Sequence, residues 1–129
     1  MQTLQAAKPI ALIVEDDSHI VHLLRFILER EGYEAQVATD GRAAQGLIAR
    51  LAPPAVVILD VMLPYVDGYQ LLAEMRARSG WEMLPIIILT AKSQEKDIVR
   101  ALDAGANDYV VKPFKPEELR ARVKRLVRA

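Results

Sequence analysis

Three unbroken apolar runs, Ile10-Ala-Leu-Ile-Val14, Ala55-Val-Val-Ile-Leu59 and Pro85-Ile-Ile-Ile-Leu89, and a shorter fourth, Tyr109-Val-Val111, punctuate an otherwise mixed chain. Continuous Val- and Ile-rich runs predict strands buried on both faces, as in a parallel sheet. Glu34-Ala-Gln-Val-Ala38 alternates instead and predicts an edge strand. The segments between carry helical spacing. Asp17 or Ser18 caps a helix with Ile20, Leu23, Leu24, Ile27 and Leu28 on one stripe, ending at Gly32, a suitable C′ residue. Asp40 caps a second, with Ala44, Leu47, Ile48 and Leu51 at core spacing before Pro53-Pro54 stops it. A third, from about Gly68 to Arg78, offers Leu71, Leu72 and Met75. A fourth, from near Ser93, offers Ile98, Val99 and Leu102 before Gly105. The fifth opens on Pro116 with Glu117 and Glu118 in its first turn. Arg120, Arg122, Lys124, Arg125 and Arg128 follow towards its negative end.

Strand and helix thus alternate. With right-handed crossovers the pattern predicts a doubly wound α/β domain, a five-stranded parallel sheet with five helices on its two faces. A length of 129 residues suits one such domain, with Met1 to Lys8 as an N-terminal extension and residues 9–129 as the folded unit. Lys plus Arg and Asp plus Glu balance at 17 each, so charge gives no reason to expect nucleic acid or a membrane surface as partner. Cysteine is absent, which excludes disulfides and thiolate chemistry. No apolar run approaches the ~18 residues of a membrane span. The expectation is a soluble, cytoplasmic domain.

Ligands of such sheets bind beyond the carboxyl ends of the strands. The residues there are Glu15-Asp16-Asp17 after the first strand, Asp60 after the third, Thr90 at the end of the fourth and Lys112-Pro113 after the fifth. Clustered carboxylates repel, and a hard divalent cation with oxygen ligands relieves that repulsion. Asp17 reads as a helix starter, whereas Glu15 and Asp16 read as metal ligands. A carboxylate beside a metal can attack phosphorus. A lysine and a hydroxyl, here Lys112 and Thr90, can neutralise the transferred oxygens. No P-loop motif is present, and an acidic loop after the first strand suits a flavin phosphate badly. An aspartate-nucleophile phosphatase is the stronger rival. It needs an acid two residues after the nucleophile, and that position is Met62. His19 and His22 read as ordinary histidines, and Trp81 as an uninformative loop residue.

Four segments carry a resemblance to a known family: Leu12-Ile-Val-Glu-Asp-Asp17, Ile58-Leu-Asp-Val-Met-Leu-Pro-Tyr-Val-Asp-Gly68, Ile88-Leu-Thr-Ala91 and Gly105-Ala-Asn-Asp-Tyr-Val-Val-Lys-Pro-Phe114. The chain from about Pro9 to Ala129 resembles the receiver domains of bacterial two-component response regulators, the CheY-like branch of flavodoxin-like folds. The resemblance implies that Asp60 accepts a phosphoryl group from a sensor histidine kinase, a phosphotransfer protein or a small phosphodonor. It implies Mg²⁺ held by Asp16 and Asp60, by Glu15 through water, and by the Met62 carbonyl. Thr90 and Lys112 would touch the phosphoryl group, Thr90 and Tyr109 would form the switch, and Lys112-Pro113 would be cis. Met62 and Lys92 fall where the family tunes dephosphorylation. Tyr65-Val66 stands where the family often has Gly-Met. Asp108, Glu118 and Arg122 resemble charges by which winged-helix transcriptional regulators dimerise through the fourth helix, fifth strand and fifth helix, although Ile98 and Asn107 depart from that pattern. The output is not legible.

Overall fold

The computed structural model describes residues 7–127. Five strands, β1 (Ile10–Val14), β2 (Glu34–Ala38), β3 (Val56–Leu59), β4 (Ile86–Thr90) and β5 (Asp108–Val111), alternate with five helices. The helices are α1 (Ser18–Arg30), α2 (Gly41–Arg50), α3 (Gly68–Ala77), α4 (Glu95–Asp103) and α5 (Pro116–Val127). All pairings are parallel, in the order β2-β1-β3-β4-β5. Strand order therefore reverses between β1 and β3, which marks the crevice at their carboxyl ends as the binding edge. None of the described helices is long and apolar enough to cross a membrane.

Local chemistry accounts for the element boundaries. Asp17 is the N-cap of α1, its carboxylate accepting from the His19 and Ile20 N–H groups, and Gly32 follows the helix at φ +93°. Asp40 caps α2 through the Ala43 N–H and Asp67 caps α3 through the Tyr69 N–H. Apolar side chains form one core on each face of the sheet. Leu47, Ile48, Leu71, Leu72, Met75 and Trp81 pack on one side, and Leu24, Ile27, Leu28, Leu119 and Val123 on the other. The expected stripes of α1, α2 and α3 are all found among these clusters or packed against them.

Two expectations need correction. The Tyr109-Val-Val111 run is not buried on both faces: β5 is a sheet edge, and only Val110 is buried. An edge strand lacks a neighbour on one side, so its residues pack only partly. The α4 stripe is likewise not core. Val99 and Leu102 are exposed, Ile98 is half-buried and only Ala101 is buried, because α4 sets this small residue, not its larger apolar ones, closest to the core. It also begins at Glu95, two residues later than Ser93 suggested, with no side-chain cap. The supposed extension is described only from Ala7 onward, and Arg128 of the basic series lies outside the described residues.

Gly68 joins fold to site. A Cβ there would sit 2.3 Å from the Val61 Cα and 2.9 Å from the Asp60 carbonyl oxygen, and neither backbone atom can yield cheaply. Gly68→Ala is expected to destabilise by about 1–3 kcal/mol, as overpacking does. Urea denaturation of the two proteins side by side checks this, and equal midpoints would contradict it.

Candidate functional site

The ladder continues past the strand ends and brings the acidic residues together. The Glu15 N–H donates to the Ala38 carbonyl at 3.0 Å and the Asp60 N–H to the Val14 carbonyl at 2.9 Å. One carboxylate oxygen from each of Glu15, Asp16 and Asp60 can be chosen so that all lie within 4.8 Å of one another. Glu15 and Asp60 are buried, at 1% and 5% exposure, while Asp16 opens to solvent. This is the donor set a hard cation takes: three acidic oxygens, one side left for water.

Lys112 arrives from the far edge. Its N–H donates to the Thr90 carbonyl at 2.9 Å, continuing the β4–β5 pairing, and the Lys112–Pro113 peptide bond is cis. The ammonium donates to Asp60 Oδ2 at 2.7 Å. It also lies 2.6 Å from Glu15 Oε1, a close charge contact outside hydrogen-bond alignment. Burial pulls the Lys112 pKa down, but its hydrogen bond to Asp60 and the close negative charge of Glu15 outweigh that and leave it raised. It is a cation at neutral pH. For Glu15 burial is the largest influence and lifts the carboxyl above its ordinary range, against the opposing pull of Lys112. The second oxygens are also fixed: Asp60 Oδ1 accepts from the Met62 N–H at 2.8 Å and Glu15 Oε2 from the Asp17 N–H at 3.0 Å.

Thr90 is fully buried and its Oγ1 has no hydrogen-bond partner among the described residues. Such orphaned hydroxyls are uncommon in folded proteins. Tyr109 packs partly buried against the Trp81 side of the core, and its hydroxyl donates to the Lys92 carbonyl at 2.9 Å. Burial, then the neighbouring Tyr69, Asp97 and Asp60, push its pKa up to about 12. The Met62 side chain is exposed, and no acid replaces it at that position.

Several contributors left no mark in the pattern. The Arg76 guanidinium donates to the carbonyls of Trp81, Leu84 and Gly105 and to Asn107 Oδ1. It thereby ties α3 to both loops flanking β4 and β5. Tyr69 lies under Arg100 of α4, with the guanidinium carbon 3.7 Å from the ring centroid. Its position directly after Gly68 is the only hint the sequence offers. Tyr65 holds φ +74°, a left-handed conformation that is about 1–2 kcal/mol unfavourable for a residue with a Cβ.

Fold and site together define a doubly wound α/β domain with an acidic centre buttressed by a lysine at the switch point. A family model for the response regulator receiver domain matches residues 11–124. The phosphate regulon transcriptional regulatory protein PhoB of Rhizobium meliloti is 47% identical over 121 residues, covering 93% of this chain and 52% of that protein. The alkaline phosphatase synthesis transcriptional regulatory protein PhoP of Bacillus subtilis is 44% identical over 117 residues, covering 91% of this chain and 48% of that one. A crystal structure of a receiver domain from a Pseudomonas aeruginosa sensor histidine kinase, with a magnesium ion coordinated in its active-site cleft, superposes with TM-score 0.83 at 34% identity, covering 94% of this chain and 98% of that one. The chain belongs to the response regulator receiver domain family. It is a two-component receiver, a module of phosphorylation-dependent signalling, and it spans about half the length of the curated relatives it matches.

Proposed function

We propose that Asp60 is the phosphoacceptor, served by Mg²⁺ and by Lys112 and Thr90. One observation carries the reading: a buried aspartate whose carboxylate is bonded to a partly buried lysine, with two further acids within cation-sharing distance. Glu15, Asp16 and Asp60, with the Met62 carbonyl, would hold the Mg²⁺, which fits the oxygen-only donor set. Bound there, the cation supplies charge neutralisation to the phosphoryl oxygens.

The Asp60 carboxylate attacks phosphorus in line, and the bond from phosphorus to the donor's leaving atom breaks with its electron pair. Lys112, held charged beside Asp60, passes to the phosphoryl oxygens once the carboxylate charge is esterified. The orphaned Thr90 hydroxyl gains the acceptor it lacks by moving towards the same group. Tyr109, coupled to the loop after β4 through its bond to Lys92, follows that movement. Phosphorylation thus shifts a population between two packings of α4, β5 and α5.

The donor is a sensor histidine kinase or a phosphotransfer protein, in the cytoplasm. The folded unit is residues 9–129, behind an extension at 1–8, and this domain makes no direct contact with nucleic acid. A homodimer through α4, β5 and α5 is supported by the outward Val99 and Leu102 on that face. Within the chain Asp108 already accepts from Arg122 at 3.0 Å, and Arg122 lies 3.5 Å from Glu118, so dimerisation would redirect these pairs.

Storage of the phosphoryl group, rather than turnover of an external substrate, follows from Met62, which cannot protonate a leaving group. Incubation with Mg²⁺ and acetyl phosphate tests this. The expected product is an alkali-labile acyl phosphate that Asp60→Asn does not form. Sustained hydrolysis of a phosphomonoester such as p-nitrophenyl phosphate would favour the phosphohydrolase instead.

A further inference from the structure

Tyr65 stands outside the machinery described so far. Among the described residues it is the one non-glycine with positive φ, and its side chain is 72% exposed. Glycine would take that backbone without strain, and the tyrosine gains little burial in exchange. Its ring nevertheless has a neighbour. The Arg42 guanidinium of α2 sits 4.7 Å from the centroid, covering one face and leaving the other to solvent.

That exposed ring stands at the entrance to the acidic centre. Asp16, Met62, Tyr65 and Lys92 line one groove, and the Met62 N–H donates to Asp60 Oδ1. A phosphoryl donor approaching Asp60 along this groove passes Lys92, whose charge suits the phosphoryl group. In-line transfer sets the leaving atom on the far side of phosphorus from the attacking oxygen, and therefore on the groove side. An aromatic face favours a flat, π-bonded leaving group over a small saturated one.

We infer that Tyr65 is a donor-specificity residue: its free face stacks on the imidazole ring of an N-phosphorylated histidine and aligns the P–N bond with Asp60. The inference rests on Asp60 being the phosphoacceptor. In the step, the P–N bond breaks as the bond from Asp60 oxygen to phosphorus forms. The electron pair leaves with the ring nitrogen, and the ring, protonated on its other nitrogen, departs as neutral imidazole. Arg42 acts by orienting the tyrosine and touches neither reactant.

Two small donors with the same P–N linkage separate ring recognition from the chemistry. N-phosphoimidazole carries the ring and phosphoramidate does not. With the 129-residue chain and Mg²⁺, the ratio of their phosphorylation rate constants is expected to fall about three- to tenfold in Tyr65→Gly, the range of an aromatic stacking contact. Tyr65→Phe, which keeps the ring, retains the ratio. An equal change in both rates in Tyr65→Gly, or loss of the ratio in Tyr65→Phe, overturns the inference. Failure of the unsubstituted protein to react with either donor would strike at the phosphoacceptor reading instead.

Discussion

Truncating Trp81 to alanine is expected to destabilise the protein by about 3–5 kcal/mol, the usual result of emptying a large aromatic site in a packed core. Trp81 is the largest of the fully buried side chains, at 0% exposure, within the cluster that holds Met75, Leu72 and Leu84 under the sheet. Its backbone is pinned as well, the N–H donating to the Arg78 carbonyl and the carbonyl accepting from Arg76. The surrounding loop therefore cannot collapse freely into the space. A domain of ordinary stability, roughly 5–15 kcal/mol, would lose a large part of its margin. Trp81→Phe is expected to lose much less, because the indole N–H it removes has no partner among the described residues. Urea denaturation of the three proteins checks both statements, and a Trp81→Ala midpoint close to the parent's would contradict them.

Lys112→Ala is expected to act on stability and chemistry together. It leaves Glu15 and Asp60 buried beside one another without their shared cation. Removing one partner of a buried ion pair usually destabilises by about 3–5 kcal/mol, and about 2–3 kcal/mol is expected here because the site opens to water through Asp16. Mg²⁺ should restore part of that loss, since it occupies the same negative potential. The pH dependence has a definite sign. Burial already raises the Glu15 pKa above its unfolded value, and loss of Lys112 raises it further. The folded state then binds the proton more tightly than the unfolded state, so stability falls as pH rises from the unfolded pKa through the folded one. Without Mg²⁺ the gap between variant and parent should accordingly widen with pH across that window. Phosphorylation by acetyl phosphate should slow by about a hundredfold or more, as for loss of a charged donor to the transferring group. A variant as stable and as reactive as the parent would contradict the placing of Lys112 at the centre.

Much of this was readable from residue order because it rests on local or strictly periodic physics. Unbroken apolar runs marked β1, β3 and β4, alternation marked β2 as an edge, and Asp17 and Asp40 announced their caps. Topology then did the rest for the site, since parallel strands deliver Glu15, Asp16, Asp60 and Lys112 to one edge whatever the helices do. The failures are of another kind. The α4 stripe has strong helical spacing, but spacing cannot say which way a helix rolls when only Ala101 fits against the sheet. The Tyr109-Val-Val111 run looks like an interior strand because edge position depends on what lies beyond it. Trp81 and Arg76 act through contacts with distant loops, such as Arg76 with Gly105, and such pairs leave no periodicity. The left-handed backbone at Tyr65 is hidden for a different reason: a side chain that ought to avoid it occupies it.

These features meet in a claim about one atom pair, an Asp60 carboxylate oxygen bonded to phosphorus. Borohydride reduces an acyl phosphate to an alcohol, so an aspartyl phosphate becomes homoserine and the site is recorded in the chain itself. After treatment with Mg²⁺ and acetyl phosphate, then borohydride and peptide mass spectrometry, homoserine is expected at position 60 and nowhere else. It should be absent when Mg²⁺ is chelated first. Homoserine at position 16, or full labelling of position 60 without a divalent cation, would contradict the account.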